Sequence, residues 1–142
     1  MKFWTALILS CAMGSLVACS SPSSDDARVR ALIDDAEKAA ESRDVGDVLD
    51  LVDAGYADAQ GNSRDSLRGF LRVFFAAHPQ LELVTSIDTL EFPVPGLARA
   101  RVTVRGLDLD RFNVGDSVVL DVELRRDGDD WRVTRADRAA ER

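Results

Sequence analysis

From Asp25 to Glu41 the apolar positions are Val29, Leu32, Ile33, Ala36, Ala39 and Ala40. This is the i, i+3, i+4, i+7 spacing of one helical face. It predicts a helix over these residues, capped at its start by Asp25 or Asp26. A shorter helix follows from Val45, Val48, Leu49 and Val52, with Asp44 as its cap and Gly55 at its end. Tyr56 to Asn62 carries no period and reads as a loop. Ser63 then caps a third helix bearing Leu67, Phe70, Leu71, Phe74 and Phe75, which Pro79 stops just after His78. Leu67, Phe70, Leu71 and Phe74 are predicted to share its buried face.

Beyond Pro79 the period falls to two. Leu81, Leu83 and Ile87 predict a strand running to about Phe92, and Pro93-Val94-Pro95-Gly96 a turn. Ala98, Ala100, Val102 and Val104 alternate with Arg99, Arg101, Thr103 and Arg105, the pattern of a half-buried strand. Val118, Leu120, Val122 and Leu124 make another, and Trp131 and Val133 mark a last one after the Asp127-Gly128 turn. Helices first and an antiparallel meander afterwards predict an α+β domain, its N-terminal helices packed on one face of the sheet. On the other face Arg99, Arg101 and Arg105 are expected beside Asp121 and Glu123, where opposite charges stabilise by roughly 0.2–1 kcal/mol per pair.

The first residues follow a different logic. Lys2 precedes the apolar run Phe3 to Leu9, which softens into small residues and ends in Leu16-Val17-Ala18-Cys19. That is the layout of a secretory signal, and its end resembles the lipobox of bacterial lipoproteins. Small residues admit the peptidase, and only a thiol accepts the diacylglycerol. We therefore expect residues 1–18 to be a signal peptide and Cys19 to be the lipidated first residue of the mature chain. Ser20, in place of Asp, resembles outer-membrane sorting, with the domain in the periplasm. Competing readings are a poorer lipobox at Ile8–Cys11, an uncleaved anchor, and secretion without lipid. The interrupted run is short for a span of about 20 residues. Residues 19–26, with Ser20-Ser21-Pro22-Ser23-Ser24, read as a polar flexible tether. The domain is placed at 27–137 and a polar tail at 138–142.

Composition narrows the partners. The chain has 18 basic and 25 acidic residues, a net charge of −7. A basic field for phosphate backbones is missing, so nucleic acid is not an expected partner. Both cysteines lie in the first nineteen residues, so the domain is expected to have no disulfide or thiol chemistry. The 46% hydrophobic content argues against a disordered chain.

The order of these elements resembles the nuclear-transport-factor-2-like superfamily, the cystatin-like cone shared with ketosteroid isomerase, scytalone dehydratase and SnoaL-type cyclases. The matches are the Arg43-Asp44-Val45 break, the Tyr56-Ala57-Asp58 step before Gly61, the Leu67–Phe75 helix and the closing Asp130-Trp131-Arg132-Val133 strand. The resemblance covers residues 27–136. It implies a sheet curled around the long helix, with a pocket at the open end.

Enzymes of that superfamily place Asp, His and Tyr inside the cone for acid–base work. Here the inward strand positions, Ala98 to Val104 and Val118 to Leu124, are apolar. The candidate pocket residues are Tyr56, Asp58, Phe70, Phe74, His78 and Trp131. Tyr56 is the first choice for a ligand hydrogen bond, but a core tyrosine with a satisfied hydroxyl is the commoner case. At helical spacing the phenylalanines are more often simple core than cavity lining. His78, the only histidine, fits the last turn of a helix, where a cation complements the dipole. Asp108, Asp110, Asn113 and Asp116 suggest calcium, but Phe112 and Asn113 break the EF-hand pattern. We expect no metal, cofactor or catalytic residue. The expected function is a non-catalytic envelope lipoprotein, held to the membrane by its lipid, that binds a small apolar ligand or an envelope protein through the pocket or its rim. The alternative is a small acid–base enzyme of the isomerase, dehydratase or cyclase kind.

Overall fold

The computed structural model describes residues 22–108 and 117–140. Residues 1–21, with the signal peptide, Cys19 and the first part of the tether, lie outside them. So do Asp110, Asn113 and Asp116 of the acidic loop and the end of the tail. Three helices, α1 (Pro22–Glu41), α2 (Val45–Asp50) and α3 (Arg64–Ala77), precede four strands: β1 (Leu81–Val94), β2 (Leu97–Asp108), β3 (Ser117–Asp127) and β4 (Asp130–Arg138). The strands form one antiparallel sheet in the order β1-β2-β3-β4.

α1 starts earlier than Asp25 and takes in residues 22–26, which the composition had suggested as tether. Proline is tolerated in a first helical turn because its missing N–H has no partner there anyway. α2 is shorter than expected. Asp44 caps it, accepting from the Asp47 N–H at 2.9 Å, but the helix stops at Asp50 rather than running to Gly55. Residues 51–53 leave it to pair with β4: the Val133 N–H donates to Leu51 and the Asp53 N–H to Val133, both at 2.9 Å. Ser63 caps α3, and His78 ends it.

Three register shifts interrupt the sheet, two in β1, at Ile87/Thr89 and Glu91/Val94, and one between β3 and β4. Ile87 lies opposite Val102 and Thr89 opposite Arg101, so Asp88 is an extra residue in β1. Its carboxylate accepts from the Thr103 hydroxyl at 2.6 Å. The insertion shifts the inward parity from Leu81, Leu83 and Ile87 to Leu90. Thr134 is the extra residue in β4, between Val133 opposite Leu124 and Arg135 opposite Glu123. β1 also extends past Phe92 to Val94, which leaves only Pro95 and Gly96 in the turn. Gly96 takes φ +80, the conformation that glycine after proline supplies in a type II turn.

The core lies between α1 and the concave sheet face. Val29, Ala98 and Leu124 are fully buried, with Leu32, Ile33, Ala100, Val102, Val122 and Trp131 around them. A second cluster joins Leu49, Leu71, Phe75 and Leu81. On the convex face Arg101 binds Asp121 through two hydrogen bonds, at 2.8 and 3.1 Å, and Arg99 lies 3.3 Å from Glu123. Arg105 sits opposite Ser117, not an acid. Long-range ties join the first turns of α1 to the far end of the sheet. The Asp25 carboxylate accepts from Arg126 and from the Trp131 indole at 3.4 Å, and Arg28 donates to the Asp129 carbonyl at 2.9 Å.

Candidate functional site

A cavity of about 240 Å³ lies between the helices and the sheet. α1 contributes Leu32, Ile33, Ala36 and Glu37; α2 and the segment after it contribute Val48, Leu51, Val52 and Tyr56; α3 contributes Leu67. The strands add Leu83, Thr85, Val102, Val104, Leu120, Val122, Val133 and Ala136. The strand residues alternate in the sequence because they share one face of the sheet. Among the described residues three side chains in this wall are polar, and each has a bond within the protein. Glu37 Oε2 accepts from both the N–H and the hydroxyl of Thr85 at 2.6 Å. One helical turn on, Glu41 accepts from the Leu83 N–H at 2.9 Å. The two carboxylates thus satisfy backbone donors on the outer edge of β1. The Tyr56 hydroxyl donates to the Ala136 carbonyl at 3.3 Å. Burial, with the nearby Asp58 charge adding to it, pushes the Tyr56 phenol above its ordinary pKa and keeps it a donor.

A larger groove of about 500 Å³ runs outside, between α1 and the β3–β4 turn. Arg28, Asp35, Asp129, Asp130 and Arg132 line it together with Trp131. Its wall carries five charged side chains, whereas the cavity between the helices and the sheet has an almost wholly apolar wall, against which an apolar molecule gains by leaving water. We take the interior as the candidate site.

No family model matches the chain, and no curated protein matches it. Solved structures do match over most of its length. A protein of unknown function with a cystatin-like fold from Nostoc punctiforme is 13% identical, with 80% of this chain and 89% of that one covered and a TM-score of 0.67. A designed NTF2-like chain is 17% identical, with 81% and 99% covered and a TM-score of 0.65. The SnoaL-type protein Aln2 from a Streptomyces species is 13% identical, with 83% and 90% covered and a TM-score of 0.68.

The fold is the nuclear-transport-factor-2-like cone.

Within this cone the six candidate pocket residues scatter. Tyr56 lines the cavity. Asp58 does not: its carboxylate accepts from the Gln60 N–H at 3.0 Å, the Asn62 N–H at 2.8 Å and the Asn62 side-chain amide at 2.9 Å. These bonds, the Asn62 side chain foremost, hold its pKa below the usual carboxylate range. Asp58 organises its own loop. Phe70 is 60% exposed and so is corrected from buried wall to surface. The buried face of α3 is turned toward Leu71 and Phe75, with Leu67 and Phe74 half-buried beside them. Phe74 stacks on Phe70 at 5.6 Å and meets the His78 ring at 4.5 Å, outside the cavity wall. His78 closes α3 with its N–H donating to the Phe74 carbonyl at 3.0 Å. Trp131 belongs to the core and borders the outer groove.

Glu37 and Thr85 were missed from the sequence. In an amphipathic helix a glutamate on the flank of the apolar stripe looks like any solvated residue. Its spacing of four from Glu41 was the available signal, since both then meet one strand edge. The wall as built can enclose an apolar group. Among the described residues of this wall Glu37 is the one carboxylate, and the Tyr56 hydroxyl is turned to a backbone carbonyl.

Proposed function

We propose that this chain is a lipid-anchored protein of the bacterial cell envelope, attached through Cys19 and sorted to the outer membrane. Its periplasmic cone binds a small apolar ligand and does not transform it. The observation that carries the ligand reading is the apolar cavity whose three polar side chains already have partners within the protein. A proton-transfer site needs an acid or base beside the reacting atom and a stabiliser for developing charge, and this wall is poor in both. Pockets for drug-sized ligands run to about 300–1,000 Å³. A cavity of about 240 Å³ suits a single ring or a short aliphatic chain, since an apolar void of roughly 150 Å³ takes up benzene.

Mass spectrometry of small molecules extracted from the purified protein tests this. Wild type should carry an apolar compound that Val104→Phe, which fills part of the cavity, loses while keeping the same circular dichroism. Equal amounts in both proteins refute the cavity as the site, and an empty wild type refutes the ligand reading. For the anchor, Cys19→Ser should abolish incorporation of a fatty-acid analogue and release the protein from membranes. Each buried methylene contributes roughly 0.8 kcal/mol to membrane attachment. Unchanged labelling refutes the anchor. A second reading, a contact with an envelope protein, is favoured by α3, where Phe70 is 60% and Val73 72% exposed.

A further inference from the structure

The start of α1, which the lipid anchor proposed above would adjoin, and one apolar corner of the domain lie at the same end. α1 begins at Pro22, three residues beyond Cys19, and three residues of chain reach at most about 10 Å. Asp25, one turn into the helix, accepts from the indole of Trp131. The Trp131 ring meets Phe92 edge-on, with 5.9 Å between centroids. These contacts place the β1–β2 turn next to the start of α1. That turn is apolar and uncovered: Phe92 is 38% and Val94 54% exposed, and Pro93 and Pro95 are exposed beside them.

The backbone of the turn suits a medium poor in water. Pro93 and Pro95 have no N–H to leave unpaired. The Gly96 carbonyl accepts from the Arg126 N–H at 2.9 Å, so the tip is tied to β3. Apolar side chains on a stiff, donor-poor turn lose little by entering the interfacial layer of a bilayer.

We propose that the Phe92–Pro95 turn rests in the surface of the membrane that holds the Cys19 lipid and so sets the orientation of the domain. This rests on the lipid anchor proposed above. A membrane is chosen over a protein because the anchor keeps that surface within about 10 Å of α1 at all times, a high effective concentration that lets a small patch suffice. The neighbouring charges favour neutral head groups. Arg126 pairs with Asp25 and Arg28 donates to the Asp129 carbonyl, while the β3–β4 turn carries Asp127, Asp129 and Asp130 and repels anionic lipid. α1 is about 30 Å long, so Ser42, just beyond its far end, lies well away from the anchored end.

The test uses the full mature chain, isolated with its acyl groups and placed in vesicles of phosphatidylethanolamine with a minority of phosphatidylglycerol. A nitrobenzoxadiazole label is attached at Val94→Cys or, as a control, at Ser42→Cys. The Cys19 sulfur is occupied by the lipid. The label at 94 should shift to the blue and be quenched severalfold more by spin-labelled lipid than the label at 42. Acylated, vesicle-bound protein in which the two labels are quenched alike overturns the proposal and leaves the anchor standing. A blue shift at 94 without lipid quenching points to a protein contact and also overturns it. Protein without acyl mass on Cys19 that stays off the vesicles overturns the anchor, and the proposal with it.

Discussion

Replacing Glu37 by alanine removes the one oxygen that accepts both the N–H and the hydroxyl of Thr85, each at 2.6 Å. Hydrogen bonds to a charged acceptor contribute about 1.5–3 kcal/mol each, and an orphaned buried donor costs about 1–3 kcal/mol. The Thr85 pair shares one oxygen and is only part-buried, so water recovers some of the loss. We expect Glu37→Ala to destabilise by about 2 kcal/mol, at the low end of that range. Glu37→Gln keeps a carbonyl acceptor but loses the charge, which roughly doubles such bonds, so its cost is about 1 kcal/mol. At about 4 °C per kcal/mol for a domain of this size, the midpoints fall by about 8 and 4 °C. Urea unfolding followed by the Trp131 fluorescence of the mature chain measures the loss, and amide hydrogen exchange locates it. The Thr85 amide should exchange faster in Glu37→Ala, while the Leu83 amide, bonded to Glu41, keeps its protection. A wild-type midpoint together with unchanged exchange at Thr85 would show that the contact contributes nothing.

The phase of α3 is tested by a pair of substitutions: Phe75→Ala should cost about 3–5 kcal/mol and Phe70→Ala less than about 0.5 kcal/mol, and equal denaturation midpoints would contradict the buried face described. The acid limb of stability rests on Asp53, Asp58 and Asp137, whose folded pKa values lie below the ordinary 3.8. A backbone N–H is the largest cause for Asp53, from Gly55, and for Asp137, from Ala59, and the Asn62 side chain for Asp58. Carboxylates depressed on folding add stability that is complete above their unfolded value and lost as the pH falls through the folded one. Thermal midpoints should therefore be level above about pH 4–5 and drop below it, less steeply in Asp58→Asn, and a midpoint that holds flat to about pH 2 would contradict the shifts.

Much of the cone was legible because its sheet is half-buried. The alternation from Ala98 to Val104 and from Leu120 to Leu124 has one physical cause, a single face turned to the core, and the pairing of Arg101 with Asp121 follows from the same register. α3 was harder. Leu67, Phe70, Leu71, Val73, Phe74 and Phe75 cover more of the helix circumference than the core can contact, so periodicity alone does not set the rotation. The end of α2 escaped because Leu51 to Asp53 leave the helix for bonds to Val133, which no local pattern announces. Asp58 stood two residues from Tyr56 and so suggested a shared site, yet its bonds to Gln60 and Asn62 turn it into its own loop. The lining role of Glu37 depends on Thr85, 48 residues away.

The tie between Asp25 and Trp131 spans 106 positions, and that separation bears on when the domain forms. The chain is made from its N-terminus, so α1 exists before the strands that cover it. Its stripe of Val29, Leu32 and Ile33 waits for β2, β3 and finally β4. Closing so long a loop is entropically slow, and contacts of this range come late. A chain halted before Trp131 would leave Asp25 without the indole and Leu124 without part of its cover. Such a chain leaves part of the α1 stripe uncovered, so the core is closed only when the last strand is in place.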